Sequence, residues 1–292
     1  MRKKNFGSEF NLRKEIIITY MENLKKHIKY FFLFSLLLLS TLVRAQRINV
    51  NPTILSFNAN AGGISTQIIT ISNLSDKKQA YQLTLGDWIR DSIGGHKYFP
   101  AGTIARSCSK WIAFDNSIVE IEPQKSRDVR VTLTAPTSVN EVSEMKWSMI
   151  FIQNVLEQTG EDSKGAKMKA TIREVYRIGI HVYQTPTAVN IKEARAIALE
   201  PDKIEKNVYN FSLANTGKAM LECKARLLLT NLSNGEEVKL DETEFPIFPD
   251  GKRIVKLLIP ETVPKGKYSM LAILEYDSDM PLEAIESAVE IK

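Results

Sequence analysis

The 292-residue chain carries a formal net charge of +5, but nine of its 39 Lys+Arg and three of its 34 Asp+Glu fall in residues 1–45. The remainder holds 30 basic against 31 acidic residues, a net of −1, so the basic face that a nucleic-acid partner needs is missing. Two cysteines, Cys108 and Cys223, are too few for a disulfide framework, and the absence of a CxxC or paired-His pattern leaves almost no ligands for a zinc or haem site.

At the N-terminal end, KKHIKYFFLFSLLLLSTLVRAQ sets Lys25, Lys26 and Lys29 before an apolar run from Tyr30 to Val43. That run is short of the ~20 residues a spanning helix needs. With small Ala45 before Gln46, residues 1–45 read as a secretory leader, removed on export. No cysteine follows the run, which argues against lipid attachment there. Met21 gives a leader of ordinary length, so residues 1–20 read as a start-site overcall.

From Arg47 onward, short β-like runs alternate with turn signals. RINVNPTILSF is a strand broken at Pro52, STQIITISN and AYQLTLGDWIR are strands, and DSIGGHKYFPAGTIARSCS reads as a loop. KWIAF, IVEIEP, VRVTLTAP and the long apolar EMKWSMIFIQNVLEQ follow, and TGEDSKG reads as a charged hairpin loop. The last strand of this half, within KATIREVYRIGIHVYQTP, alternates clearly. Ile172, Glu174, Tyr176, Ile178, Ile180 and Val182 share one face, and Arg173, Val175, Arg177, Gly179, His181 and Tyr183 the other. Turn signals every ~8–12 residues between alternating runs predict an antiparallel sandwich over residues 46–186.

QTPTA at 184–188 is the predicted junction. Residues 187–292 repeat the strand rhythm in AVNIKEARAIAL, NVYNFSLANTG, AMLECKARLLLTNLSNGEEVKL, KRIVKLLIP, KGKYSMLAILEYD and LEAIESAVEIK. LECKARLLL has helical propensity, but its following turn and flanking strands argue for a hairpin. The fold class predicted is therefore all-β, two tandem immunoglobulin-like sandwiches behind a leader. The two cysteines, one in each half, are expected to be packed thiols.

No catalytic constellation emerges: GxSxG, P-loop and GxGxxG patterns are absent, and His96 and His181 lie in unlike sequence contexts. The chain is thus expected not to be an enzyme and to need no cofactor. Trp88, Trp111 and Trp147 are expected to serve packing, with a carbohydrate platform as the alternative.

The ordered series INVNPTILSFNANAGGISTQIITISNLSDKKQAYQLTLGDW, SKWIAFDNSIVEIEPQKSRDVRVTLTAP, EMKWSMIFIQNV and IGIHVYQTP resembles the first domain of the PapD-like periplasmic chaperones of pilus assembly. The resemblance implies a boomerang of two immunoglobulin-like domains in the periplasm. It also implies donation of the last first-domain strand, about 168–183, to an incomplete exported subunit, with an outer-membrane usher as a further partner. On that basis Ile172, Tyr176, Ile178 and Ile180 would divide between the chain's own core and the subunit's groove. In the family, basic residues clamp the subunit's terminal carboxylate; here Ile54, Ile180 and Gln184 stand at those positions. Arg173, Arg177 and Arg47 are the nearest basic residues. The alternative function is a structural or adhesive tandem of the cell envelope, in which that strand edge is permanently covered.

Overall fold

The structure is a computed structural model that describes residues 25–26, 28–30, 47–155, 175–277 and 280–292. Of the predicted leader only Lys25, Lys26, Ile28, Lys29 and Tyr30 are described, all helical, so its export signal otherwise lies outside the described residues. The chain divides into two compact units, residues 1–48 and 49–292. Among the described residues, no helix is long and apolar enough to cross a membrane.

Ten strands build the first sandwich: β1 (Ile48–Asn51), β2 (Ile54–Phe57), β3 (Ile64–Asn73), β4 (Gln79–Arg90), β5 (His96–Pro100), β6 (Ile112–Phe114), β7 (Ile118–Ile121), β8 (Ser126–Thr134), β9 (Lys146–Asn154) and β10 (Arg177–Gln184). One sheet has the order β1-β3-β8-β6, the other β2-β10-β9-β4-β5 with β7 alongside β4. The break at Pro52 changes the strand's sheet: β1 lies beside β3, while β2 crosses to lie parallel to β10. Proline cannot donate to a ladder, so the strand stops there and restarts against a new neighbour. Ile69 and Ile71 of β3 and Val129, Val131 and Leu133 of β8 turn inward with no exposed surface. Leu83, Ile150, Ile152, Ile180 and Val182 of the opposing sheet are likewise buried, all at most 3% exposed.

β9 explains the long apolar run EMKWSMIFIQNV. Ile150 and Ile152 face the sandwich core, while Trp147, Met149 and Phe151 on its other face are also buried. A strand covered on both faces loses the alternation of a half-exposed one. One cover is β5, which corrects the expected loop: His96–Pro100 pairs with Gly86–Arg90 as a hairpin.

Eight strands follow: β11 (Ala194–Pro201), β12 (Val208–Asn215), β13 (Leu221–Asn231), β14 (Glu237–Lys239), β15 (Thr243–Ile247), β16 (Lys252–Leu258), β17 (Gly266–Tyr276) and β18 (Glu283–Ile291). They form the sheets β11-β12-β16 and β14-β13-β17-β18, with β15 alongside β13, so the chain is all-β and built as two tandem sandwiches. Residues 185–193 connect β10 to β11, and none of these sheets includes strands from both sides of that connection. β11 begins six residues later than the run AVNIKEARAIAL suggested, and β15 was not anticipated. LECKARLLL is strand throughout. Leu221, Cys223, Ala225, Leu227 and Leu229 point inward while Glu222, Lys224 and Arg226 point out, and this period of two fits a sheet better than its propensity fits a helix.

The second sandwich supplies the other cover of the first domain's sheet. Phe248, after β15, sits 5.0 Å ring to ring from both Trp88 and Trp147, and Met220 packs beside it. The Met145 N–H donates to the Lys218 carbonyl (3.2 Å), and the Arg106 guanidinium pairs with Asp250 at 2.6 Å. Trp88 and Trp147 therefore serve packing, each with its indole N–H satisfied by a backbone carbonyl: Ser148 at 3.2 Å and Trp88 at 2.8 Å.

Candidate functional site

β10 is the strand singled out by alternation, and its two halves differ. Along its whole length it pairs antiparallel with β9, from Arg177 opposite Gln153 to Gln184 opposite Lys146. On its other side β2 lies parallel to it, but only from His181 opposite Ile54 to Gln184 opposite Phe57. The edge expected to be free over 168–183 is therefore closed from His181 onward, a correction that follows from the strand switch at Pro52. From Arg177 to Ile180, no strand among the described residues borders that side.

Backbone phase tells which groups line the open stretch. The N–H of His181 donates to the Thr53 carbonyl (3.0 Å) and that of Thr185 to the Phe57 carbonyl (2.9 Å), so odd-numbered residues point their backbone groups toward β2. The Asn154 N–H donates to the Tyr176 carbonyl, which points even-numbered residues toward β9. By that alternation, Arg177 and Gly179 present N–H and C=O to the unbordered side, the groups through which one strand recruits another.

Side chains follow the opposite bookkeeping. Ile180 and Val182 are fully buried in the sandwich, and Ile178, on the same face one step toward the open end, is partly exposed. Ile180, expected among the partner contacts, is instead sealed in the first domain's own core, because β9 pairs it with buried Ile150. Tyr176 precedes the strand and is 37% exposed. On the outer face, the Arg177 guanidinium lies 3.6 Å from the Phe151 ring centroid, a cation–π contact. Gly179 abuts Met149, where an added Cβ would lie 2.9 Å from Sδ. Ile172 and Arg173 lie outside the described residues, as does the predicted hairpin loop. Arg47 is exposed just ahead of β1.

The three positions that replace the expected basic residues have separate fates. Ile54 is 49% exposed, Ile180 is buried, and Gln184, with no exposed surface, clamps the backbone of Ala59. Its Oε1 accepts the Ala59 N–H at 3.2 Å and its Nε2 donates to the Ala59 carbonyl at 2.5 Å. A carboxylate clamp cannot form from this set; the amide is spent on holding the chain after β2 against β10.

The two histidines do meet, contrary to their unlike sequence contexts. β5 brings His96 to 5.5 Å from His181, ring to ring, with Trp88 4.8 Å from each. Burial, with His96 and Arg90 nearby, pushes the His181 imidazole down to about 4. No sequence signal announces this, because HKYFP, exposed throughout, carries no alternation to mark the hairpin that makes it. Cys108 and Cys223 are free and buried, and burial pushes each thiol up to about 12. Among the described residues, no group of three or more His, Cys, Asp or Glu could hold a metal ion.

No protein-family model and no curated protein matches the chain. Among solved structures, it is similar in fold to a chain of a chaperone–tip adhesin complex of CFA/I fimbriae biogenesis, at 10% identity and a TM-score of 0.48, over 83% of this chain and 98% of that one. It is similar to the class 5 fimbriae chaperone CfaA at 9% identity and a TM-score of 0.45, over 82% and 98% of the two chains. It is likewise similar to the E. coli chaperone DraB at 12% identity and a TM-score of 0.42, over 84% and 96%.

Proposed function

We propose that this chain is a non-catalytic, chaperone-like protein that works after export and binds an exported protein subunit through the N-terminal end of β10. The observation that carries this reading is the half-bordered strand: β9 on one side throughout, β2 on the other only from His181 onward. An incoming strand would extend the sheet along Arg177–Ile180 by bonding to Arg177 and Gly179, the geometry of β-augmentation. Ile178 and Tyr176 are the apolar side chains beside that edge, and Ile172, Arg173 and Arg47 are further candidate contacts. An usher-type partner and a periplasmic site of action belong to the same proposal.

Arg177→Pro tests it. The Arg177 N–H faces the unbordered side, so proline there leaves the β9 ladder intact and removes one donor from the edge. Co-expressed with a subunit-like protein encoded beside it, the variant is expected to fold and to lose most co-purified subunit, whereas Arg177→Ala retains it. Full retention by the proline variant, with an unchanged melting temperature, would refute binding through this edge.

A further inference from the structure

Where the two sandwiches meet, cationic and titratable side chains gather from four strands. Arg90 ends β4, His96 opens β5, His181 lies within β10, and Arg253 is the second residue of β16. The Arg90 Nη2 is 3.3 Å from the His96 Nε2, and His96 is 5.5 Å from His181. Arg253 arrives from the second sandwich because the Ile254 N–H donates to the Ser92 carbonyl at 2.7 Å. Its guanidinium lies against Gly94, where φ is +95° and an added Cβ would fall 2.0 Å from Nη1, so only a glycine leaves that space. The Arg90 charge acts on His96, His181 and Arg253 alike, which places all four groups in one field.

Four nitrogens here are buried without a hydrogen-bond partner: Arg90 Nε, His181 Nε2, and Arg253 Nε and Nη1. Asp91 is the acid that acts on both His96 and Arg253. Its Oδ1, however, accepts the N–H groups of Ile93 (3.2 Å) and Gly95 (2.7 Å). Among the described residues, Arg90 and Arg253 form no ion pair within 4.0 Å, although twelve such contacts occur elsewhere. A guanidinium cannot shed its proton, so unlike a lysine it cannot escape a partly buried, unpaired position by neutralising. Buried charges are otherwise paired. One group with several acceptor oxygens would satisfy these donors together, since they arrive from different strands and one atom cannot meet them all.

We propose that this junction is an oxoanion-binding site. Arg90 and Arg253 hold a phosphate, sulfate or carboxylate group between the sandwiches, with His181 Nε2 as a third contact. The site is separate from the β10 edge, so its failure leaves the subunit-binding reading standing.

The test is calorimetric melting of the purified full chain in sodium chloride, then in sodium phosphate, sulfate or acetate at matched ionic strength. A bound oxoanion at a hundredfold excess over its Kd is expected to raise Tm by about 5 °C or more. Phosphate or sulfate acting alone assigns a tetrahedral ligand, and acetate acting alone assigns a carboxylate; either supports the site. Arg253→Gln is expected to weaken binding at least tenfold, while Lys97→Gln, an exposed change of the same charge on β5, leaves it unaltered. NMR titration of the wild-type His181 ring is the second readout: its pKa is expected to rise when the anion binds. No anion-specific rise in Tm, or undiminished binding by Arg253→Gln, overturns the proposal. Should that variant fail to fold, an unmoved His181 titration in the wild type overturns it.

Discussion

Replacing Ile178 and Ile180 separately tests whether β10 divides between core and edge. Ile180 has no exposed surface and pairs with Ile150, which has none either, whereas Ile178 is partly exposed at the open end of the same face. Ile180→Ala removes methyl groups from a closed core and is expected to cost about 2–5 kcal/mol. For a chain of this size that is a fall in Tm of roughly 4–20 °C at about 2–4 °C per kcal/mol. Ile178→Ala removes the same atoms from a site that water already reaches, so its cost is expected to be about 1 kcal/mol. Aspartate sharpens the contrast. At 180 it places a charge with no partner in the core and is expected to prevent folding, because total stability is only about 5–15 kcal/mol. At 178 the carboxylate can stay in water, so the variant folds and loses the subunit. Thermal melts of the two alanine variants, followed by co-purification with Ile178→Asp, give the readout. Equal costs at 178 and 180, or an unfolded Ile178→Asp, would show one continuous core strand with no side chain to offer and would end the reasoning.

Three further outcomes follow from the same packing. Phe248→Ala, which empties the space 5.0 Å from Trp88 and Trp147, is expected to cost about 3–5 kcal/mol, and an unchanged Tm would contradict the packing of the two sandwiches there. Because the folded state holds His181 down to about 4 from an ordinary 6.5, the unfolded chain binds the extra proton between those values; stability is therefore expected to fall as pH drops from about 6.5 to 4. His181→Phe is expected to flatten that slope in melts across the window, and an identical slope in the variant would assign the effect elsewhere. Cys108 and Cys223 are expected to resist a thiol reagent in native buffer and to react, two per chain, in denaturant; fast native labelling would contradict their burial.

The sandwich architecture was legible because local chemistry and tertiary structure agree over most of the chain. The breaks at Pro52 and after Gln184, the alternation in β3, β8 and β13, and the hairpin turn after Asn231 all follow from ladder and turn rules that act within a few residues. β5 was missed for the opposite reason. HKYFP offers neither an inward apolar face nor alternation, and all five residues are exposed; what makes it a strand is pairing with Gly86–Arg90 of β4 across a short hairpin, which its own pattern does not announce. The meeting of His96 with His181 and of Arg90 with Arg253 was lost with it, since both depend on that hairpin and on how the second sandwich is anchored.

The same limit explains why the edge was read as longer than it is. The sequence of β10 carries its own alternation but says nothing of which neighbour takes its second side, and that was decided more than a hundred residues earlier. Pro52 ends β1, the restarted strand β2 is four residues long, and its register sets Ile54 against His181. One more residue of β2 toward its N-terminus would bring its pairing to Ile180, and four would extend it along the whole of β10. Among the described residues, the stretch from Arg177 to Ile180 is unbordered on that side because the break falls at 52, so the reach of a proline, and no property of β10 itself, determines how much of its backbone β2 covers.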